Sequence, residues 1–365
     1  MLGKREVRAF FTLLRTGLWR HPIDQLDCFP LSDLEWKRIY SHAIRHTVEG
    51  VLFDAVQTLD NEILPPKSML RVWVVRVEKI AQRNARMDEV IKDQVQFFHQ
   101  YNLSPVLLKG RGVATTYPNP KRRSCGDIDW CFEDYQDYEK ATESLEKIGI
   151  RIHRSAGYSV NFLWKGFETD QHQRQFDISN PFLKRCLQDL EKEYATSEQI
   201  MFIDEVPVRL SAPILQSIQV NIHILKHLLS FGIGLRQLCD AARIYYTYSQ
   251  NMDGVRLRKT YRKLGVLNWI NTLHQILVEY IGLPVEELPF ANADSKRATS
   301  VMEDIWQSGN FGFTTDDVNN MKQQQPVKRE ASTTAIIKRL ITYLPYAPME
   351  AISFPFLQLY SRWFH

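Results

Sequence analysis

The spacing of apolar residues changes twice along this chain, and the two changes constrain its fold more than any other feature. Residues 5–102 carry apolar side chains three and four apart, which predicts amphipathic helices, the longest from Pro66 to His99. After Tyr101 short apolar runs alternate with turn residues, which predicts strands. Helical spacing returns at Pro213. The sequence therefore predicts an α+β fold, with a small mixed-sheet core flanked by helical N- and C-terminal regions.

The same changes predict where the regions begin and end. We expect an N-terminal helical region at 1–102, an α/β core at 103–211 and a C-terminal helical region at 212–365. The strands expected within the core are VLLKG, DIDWCF, IRIHR, SVNFLW, RQFDIS, QIMFI and VPVRL, and YQDYEKATESLEKIG is expected to be a helix. Asp204 and Glu205 are expected to form the turn between the last two strands.

The composition is that of a globular protein without strong specialisation. The chain has 365 residues, of which 44% are hydrophobic and 24% charged. Its formal net charge of +4 permits an anionic substrate without requiring a nucleic acid. The five cysteines are scattered and form no CxxC pair, which favours reduced thiols over a disulfide framework or a zinc site. We therefore expect a cytoplasmic protein.

The most apolar part of the chain is its C-terminal end, LITYLPYAPMEAISFPFLQLYSRWFH. Pro345, Pro348, Glu350 and Pro355 interrupt it well short of the roughly 20 apolar residues that a membrane-spanning helix needs. We expect no transmembrane segment and a packed C-terminal segment. The alternative is a surface patch that contacts a membrane surface or a partner.

Two aspartates stand two residues apart in the apolar run SCGDIDWCF. On a strand, the side chains of Asp127 and Asp129 point to one face, while Ile128 and Trp130 point to the other. Neighbouring carboxylates repel each other unless a cation lies between them, and Mg²⁺ prefers such oxygen ligands. The pair therefore predicts a magnesium site, although strand ends also carry such residues by chance.

The residues around this pair suit a bound triphosphate. Glycine at a strand-to-helix turn lets a phosphate approach the backbone, and basic side chains provide partners for its charge. The residues concerned are Lys109, Gly110, Lys121, Arg123 and Gly126. For the basic residues, the alternative is a solvated turn.

The segment LLKGRGVATTYPNPKRRSCGDIDWCF resembles the signature of the DNA polymerase β-like nucleotidyltransferase superfamily. More narrowly, it resembles a bacterial group described as a nucleotidyltransferase family, in which Lys-Gly replaces the usual Gly-Ser. A second stretch, HILKHLLSFGIGLRQLCD, is similar to the helical region of that group. The residues that carry the resemblance are Lys109, Gly110, Tyr117, Pro118, Arg123, Gly126, Asp127 and Asp129.

The resemblance implies a third carboxylate on a neighbouring strand. The candidate is Asp177 in RQFDISN, with Asp170, Asp204 and Glu205 as alternatives that are expected in loops or turns. By this resemblance, Asp127, Asp129 and Asp177 are the catalytic residues and bind two Mg²⁺ ions. The nucleotide is expected to contact Lys109, Gly110, Lys121, Arg123 and Gly126. Because the serine of the superfamily motif is absent, we expect Lys109 to contact the β- or γ-phosphate.

The implied activity is Mg²⁺-dependent transfer of a nucleoside monophosphate from a nucleoside triphosphate, such as ATP, to a hydroxyl group of a small molecule or protein. The absence of a strong basic stripe argues against a nucleic acid as the acceptor. One alternative is a catalytically degenerate nucleotide-binding protein with a regulatory or scaffold role. Another is a related transferase of a different phosphorylated group, such as phosphocholine.

Two residue pairs in the predicted C-terminal helices have i, i+4 spacing, which places each pair on one helix face. For His223 and His227 we expect packing or a hydrogen bond rather than metal binding, because no third ligand stands beside them. For Arg236 and Asp240 we expect an ion pair.

Overall fold

The strands of the core form one seven-stranded mixed sheet in the computed structural model, which describes residues 4–155, 159–176, 178, 180–195, 198–291, 297–310 and 333–363. The strands are β1 (Val106–Leu108), β2 (Ile128–Cys131), β3 (His153–Ser155), β4 (Ser159–Trp164), β5 (Phe167–His172), β6 (Gln199–Ile203) and β7 (Val206–Leu210). Their order in the sheet is β3-β4-β5-β2-β1-β7-β6. Strand β2 is antiparallel to β1 and parallel to β5, which makes the sheet mixed as predicted.

Helices precede and follow this sheet, so the predicted α+β fold is confirmed. Helix α4 matches the predicted long helix to within one residue at each end, and Ser32 caps α2 in a capping box with Glu35. The helices are α1 (Arg5–Trp19), α2 (Asp33–Arg45), α3 (Glu49–Val56), α4 (Lys67–Gln100), α5 (Gly110–Ala114), α6 (Tyr135–Lys147), α7 (Lys184–Tyr194), α8 (Pro213–Ser230), α9 (Leu235–Tyr248), α10 (Gly254–Lys263), α11 (Leu267–Ile276), α12 (Ala298–Ser308), α13 (Thr333–Tyr343) and α14 (Pro348–Trp363).

The N-terminal and C-terminal helices share one apolar cluster. Leu14 and Leu52 from the N-terminal side are buried in it together with Leu225 and Leu273 from the C-terminal side. A second cluster lies between one face of the sheet and helices α4 and α6. Helix α4 contributes to both clusters and so connects the helical layer to the sheet. The opposite face of β2 is therefore left to form a site.

The strand predicted at RQFDIS is wrong for the described residues of that segment. Gln175, Phe176 and Ile178 lie outside the strands, and β5 precedes them. In strand β5, apolar and polar residues do not alternate as they do in a typical half-buried strand. Its inward-facing residues include Thr169 and Gln171, which are polar and fully buried. Each has a hydrogen-bond partner distant in sequence: Nε2 of Gln94 donates to the hydroxyl of Thr169, and Nε2 of Gln171 donates to the carbonyl of Tyr138.

The part of the C-terminal segment whose side chains the structure describes packs on the helical layer, as predicted. Tyr343, Ala347 and Ala351 are buried in the shared apolar cluster, whereas Ile341 and Ile352 on the same two helices remain exposed. None of the helices that the structure describes is long and apolar enough to span a bilayer.

Candidate active site

Asp129 lies in the middle of the sheet, on the face opposite to the α4–α6 cluster. It is paired in register with Leu108 of β1 on one side and with Asp170 of β5 on the other. Residues opposite each other on neighbouring strands share a face, so the Asp129 and Asp170 side chains stand side by side. Asp127 precedes the first residue of β2 and is exposed. The strand alternation expected for the pair therefore holds for Asp129, whereas Asp127 belongs to the preceding loop.

Two basic side chains contact the buried carboxylate of Asp129. Nζ of Lys109 lies 3.3 Å from its Oδ1 atom, and Nε2 of His172 lies 2.9 Å from the same atom. Burial by itself raises the pKa of Asp129, but the charge of Lys109 and the bond to His172 outweigh it and hold this pKa below its usual range. Asp129 is therefore ionised at neutral pH.

The other two carboxylates are shifted in the opposite direction. Burial, reinforced by the charge of Asp129, raises the pKa of Asp170 to about 6. The charge of Asp129 is also the main reason why the pKa of Asp127 is raised. Three mutually repelling carboxylates, those of Asp127, Asp129 and Asp170, thus lie around the N-terminal end of β2. A divalent cation relieves repulsion of this kind.

The donor atoms at this place fit a divalent metal ion. One ligand atom each of Asp129, Asp170 and His172 can be chosen so that all three lie within 4.8 Å of one another. Two carboxylates provide the oxygen ligands that Mg²⁺ prefers, and the imidazole adds a nitrogen. Asp127 is outside this group of three.

Helix α8 contributes two histidines and a lysine to the same region. Nε2 of His227 and Nε2 of His223 lie 3.0 Å apart, so the predicted hydrogen-bonding role of this pair is confirmed. Burial lowers the pKa of both rings, and the positive charge of Lys109 lowers both further. Burial and Lys109 also lower the pKa of Lys226 to about 8. We call His223, Lys226 and His227 the α8 face.

The loop that leads into Asp127 is anchored by helix α9. Arg123 donates from Nε and Nη2 to the two carboxylate oxygens of Asp240, at 2.7 and 2.6 Å, and the Tyr117 hydroxyl donates to Oδ1 at 2.6 Å. All three residues are buried. The expected ion pair between Arg236 and Asp240 is therefore wrong, because Asp240 pairs with Arg123. Arg236 instead donates from Nη1 to the carbonyl of Ser124 at 2.7 Å.

A family model described as "Uncharacterised nucleotidyltransferase" matches residues 32–279, a span that includes the sheet, the three carboxylates and the α8 face. The chain belongs to this nucleotidyltransferase family. A crystal structure of an antigenic nucleotidyltransferase-like protein from Paracoccidioides brasiliensis is 14% identical, with a TM-score of 0.34, and the match covers 54% of this chain and 92% of that one. A search of curated proteins found no match.

The five residues predicted to bind nucleotide differ in backbone conformation, exposure and partners. Gly110 begins α5 with a φ of +35°, and a Cβ atom there would lie 3.4 Å from the carbonyl oxygen of Asp127. Lys109 also has a positive φ, of 45°, a conformation that strains a residue with a side chain. Gly126 is exposed, and its carbonyl accepts a hydrogen bond from Nη2 of Arg83 at 2.8 Å.

The two remaining basic candidates differ in their exposure. Lys121 is exposed on a short turn of 3₁₀ helix at Pro120–Arg122. Arg123 is 5% exposed and is bound to Asp240, which corrects the expectation that it is available to a phosphate. Its role in the structure is to fix the loop before Asp127.

The carboxylates expected as candidates for the third position lie in different parts of the chain. Asp177, the expected candidate, lies outside the described residues, so its role stays a prediction. Asp170, expected in a loop or turn, is on β5 beside Asp129. Asp204 is in the β6–β7 turn, as expected, where it pairs with Lys92. The D-x-H spacing of Asp170 and His172 was a signal that could have pointed to this place.

Proposed function

We propose that this chain is a divalent-metal-dependent nucleotidyltransferase that transfers a nucleoside monophosphate from a nucleoside triphosphate to a hydroxyl group. Within that proposal, it is a member of the DNA polymerase β-like superfamily. The observation that carries the proposal is the cluster of Asp127, Asp129 and Asp170 at the end of β2, in a chain of a nucleotidyltransferase family. We assign to Asp170 the third carboxylate position.

The roles of the residues follow from their placement. Asp129 is ionised and buried, and Asp170 stands beside it, so these two carboxylates form the fixed part of a metal site. The exposed carboxylate of Asp127 is accessible to substrate at the edge of that site. Two Mg²⁺ ions, when bound, supply neutralisation of the triphosphate and activation of the acceptor hydroxyl.

The position of the α8 face supports a triphosphate-binding site between this face and the carboxylates. Lys109 lies beside the carboxylates, and its charge acts on His223, Lys226 and His227. A triphosphate between the carboxylates and the α8 face would meet metal ions on one side, and on the other side the ammonium group of Lys226 and two neutral imidazoles that can donate hydrogen bonds. The acceptor in this proposal is a small molecule or a protein, since the chain has a net charge of only +4.

The proposal is tested by a nucleotide-binding and transfer experiment with a matched pair of variants. Asp170→Asn removes one carboxylate of the cluster, whereas Asp137→Asn changes an exposed aspartate on α6. Wild type and Asp137→Asn are expected to melt at higher temperature with Mg²⁺ and at least one of ATP, GTP, CTP or UTP, because a ligand that binds the native state stabilises it. Asp170→Asn is expected to lose this shift.

Transfer is measured with α-³²P-labelled nucleotides, once with the purified protein alone and once with a lysate fraction that supplies acceptors. The readout is label that becomes attached to an acceptor or to the chain itself. We expect transfer by wild type and Asp137→Asn only. If wild type and Asp170→Asn bind nucleotide equally well and wild type transfers no label, the result would instead support the degenerate nucleotide-binding alternative. A wild type that binds no nucleoside triphosphate would contradict both.

Lys109 gives a separate prediction. If its ammonium group contacts the β- or γ-phosphate, Lys109→Ala weakens triphosphate binding more than monophosphate binding, because only the triphosphate reaches that group. We expect a loss of roughly 10-fold or more in triphosphate affinity, which corresponds to one charge-assisted hydrogen bond. Titration calorimetry with ATP and AMP measures the difference, and equal changes for both nucleotides would remove Lys109 from the triphosphate site.

Lys226 predicts a pH dependence of nucleotide binding. Its pKa is lowered to about 8, first by burial and then by the charge of Lys109, while Glu350 opposes the shift. A bound triphosphate favours the charged lysine, so affinity is expected to fall as the pH rises from 7 to 9. An arginine at position 226 stays charged over this pH range, so Lys226→Arg is expected to abolish the fall in affinity between pH 7 and 9. An identical pH profile in wild type and Lys226→Arg would show that the lysine does not contact the phosphates.

A further inference from the structure

His172 brings a nitrogen donor to a site otherwise formed by carboxylates. It lies on β5 two residues after Asp170, so both side chains are on the same face of the sheet. The residues on the other face of β5, Thr169 and Gln171, point into the α4–α6 cluster and are held there by hydrogen bonds to Gln94 and Thr142. The direction of the His172 ring is therefore fixed by the strand, and the ring lies next to Asp129.

The spacing of the donor atoms matches a coordination shell. In an octahedral shell with ligand distances of about 2.1 Å, neighbouring ligand atoms are roughly 3.0 Å apart. Nε2 of His172 and Oδ1 of Asp129 are 2.9 Å apart. With Asp170, all three donor atoms lie within 4.8 Å of one another. The three side chains can therefore bind one ion together.

From this geometry we infer that His172 is a ligand of the same metal ion as Asp129 and Asp170, and that this site binds Mn²⁺ in preference to Mg²⁺. Mg²⁺ binds oxygen ligands and retains water, whereas an imidazole nitrogen favours first-row transition ions. Carboxylates and water suit Mg²⁺ and Mn²⁺ alike, and of these two ions only Mn²⁺ is a transition ion. The inference rests on the proposed function, since it concerns the metal of that same site.

Lys109 links metal binding to nucleotide binding in this arrangement. Its Nζ atom lies 3.3 Å from Oδ1 of Asp129, the oxygen that also contacts His172. A divalent ion on that oxygen repels the ammonium group, so Lys109 moves away from Asp129 when the ion binds. The released ammonium group is then available to the triphosphate, in agreement with the role predicted for Lys109.

Electron paramagnetic resonance of Mn²⁺ tests the inference directly. The full chain, freed of metal, is titrated with Mn²⁺, and the bound ion is examined for electron spin echo modulation by a directly coordinated ¹⁴N nucleus. His172→Gln keeps a hydrogen-bond donor for Asp129 but removes the imidazole. His153→Asn is the control, because His153 is an exposed histidine on β3 of the same sheet.

Wild type and His153→Asn are expected to show the ¹⁴N modulation and to bind Mn²⁺ at least about tenfold more tightly than Mg²⁺, the size of effect that single groups at metal sites have. His172→Gln is expected to lose the modulation and most of the preference. Bound Mn²⁺ without ¹⁴N modulation in wild type, or an unchanged preference in His172→Gln, would overturn the inference.

The outcomes separate this inference from the proposed function. If nucleotide transfer depends on Asp170 but the bound Mn²⁺ shows no nitrogen ligand, the function stands and His172 is only a hydrogen-bond partner of Asp129. If neither Mn²⁺ nor Mg²⁺ binds, with or without ATP, both the inference and the metal-dependent function are wrong.

Discussion

Replacing either aspartate of the DID motif is expected to abolish transfer, while the two changes have opposite effects on stability. Loss of a group that only supports a metal ligand commonly costs 10–100-fold, so loss of a carboxylate of the cluster itself, in Asp127→Asn or Asp129→Asn, is expected to lower transfer by more than about 100-fold. The difference between them arises from their surroundings. Asp129 is paired with Lys109 and His172, whereas Asp127 is mainly repelled by the negative charge of Asp129.

The direction of each stability change follows from the pKa shifts. The pKa of Asp129 is below its usual range, so its ionised form stabilises the fold at neutral pH, and that contribution is lost as the pH falls toward the folded-state pKa. Asp129→Asn is expected to cost about 1–3 kcal/mol, since it leaves a basic group without its charged partner. The pKa of Asp127 is raised, so its ionised form opposes folding. Asp127→Asn is expected to melt at the same temperature as wild type or higher.

The measurement is thermal melting of the two variants and wild type without metal, together with their transfer activity. Asp137→Asn again controls for loss of one negative charge at an exposed position. Equal destabilisation by Asp127→Asn and Asp129→Asn would mean that both carboxylates are structural. Activity retained in Asp129→Asn would contradict the metal site itself.

The largest effect on stability is expected at Asp240, which no catalytic step involves. Asp240 and Arg123 are each 5% exposed, and the pair is bidentate. Removal of one partner from a buried ion pair leaves an uncompensated charge and commonly costs 3–5 kcal/mol, so we expect Asp240→Asn to cost about that much. The loop before Asp127 loses its anchor as well, so we expect transfer to fall even below the melting temperature.

Three further variants check this interpretation. Tyr117→Phe removes only the third contact to Asp240 and is expected to cost about 1 kcal/mol. Arg123→Gln combined with Asp240→Asn leaves no unpaired charge and is expected to cost less than the sum of the single changes. Glu143→Gln, in an exposed pair with Lys147 on α6, is expected to leave the melting temperature unchanged. A stable Asp240→Asn variant would show that the pair is not an anchor.

Much of the fold could be predicted because its determinants are local. The helical spacing over 67–100 and the cap at Ser32 depend on side chains within a few residues of each other. The turn at Asp204 between β6 and β7 was predicted for the same reason. In the same way, the glycine and the two aspartates of SCGDIDWCF identify the site before any contact is known.

Strand β5 could not be predicted because its buried side chains are polar. Thr169 and Gln171 can be buried only because Gln94 and Tyr138, distant in sequence, provide hydrogen bonds. Asp170 and His172 are consequently on a strand beside Asp129, where the sequence pattern alone favoured Asp177. The loop before Asp127 shows the same limit of sequence-based prediction. Its three basic residues at 121–123 look alike in the sequence, although Lys121 is exposed and Arg123 is buried against Asp240.

By itself, therefore, the sequence determined the succession of helices and strands apart from β5, the acidic DID motif and the kind of chemistry that such a motif serves. Only the tertiary structure decided that Arg123 pairs with Asp240, that Lys109 and His172 contact Asp129, and that the α8 face lies near Lys109. The physical reason is that periodicity and turn chemistry act between near neighbours. The partner of a buried charge, by contrast, is chosen by the packing of distant segments.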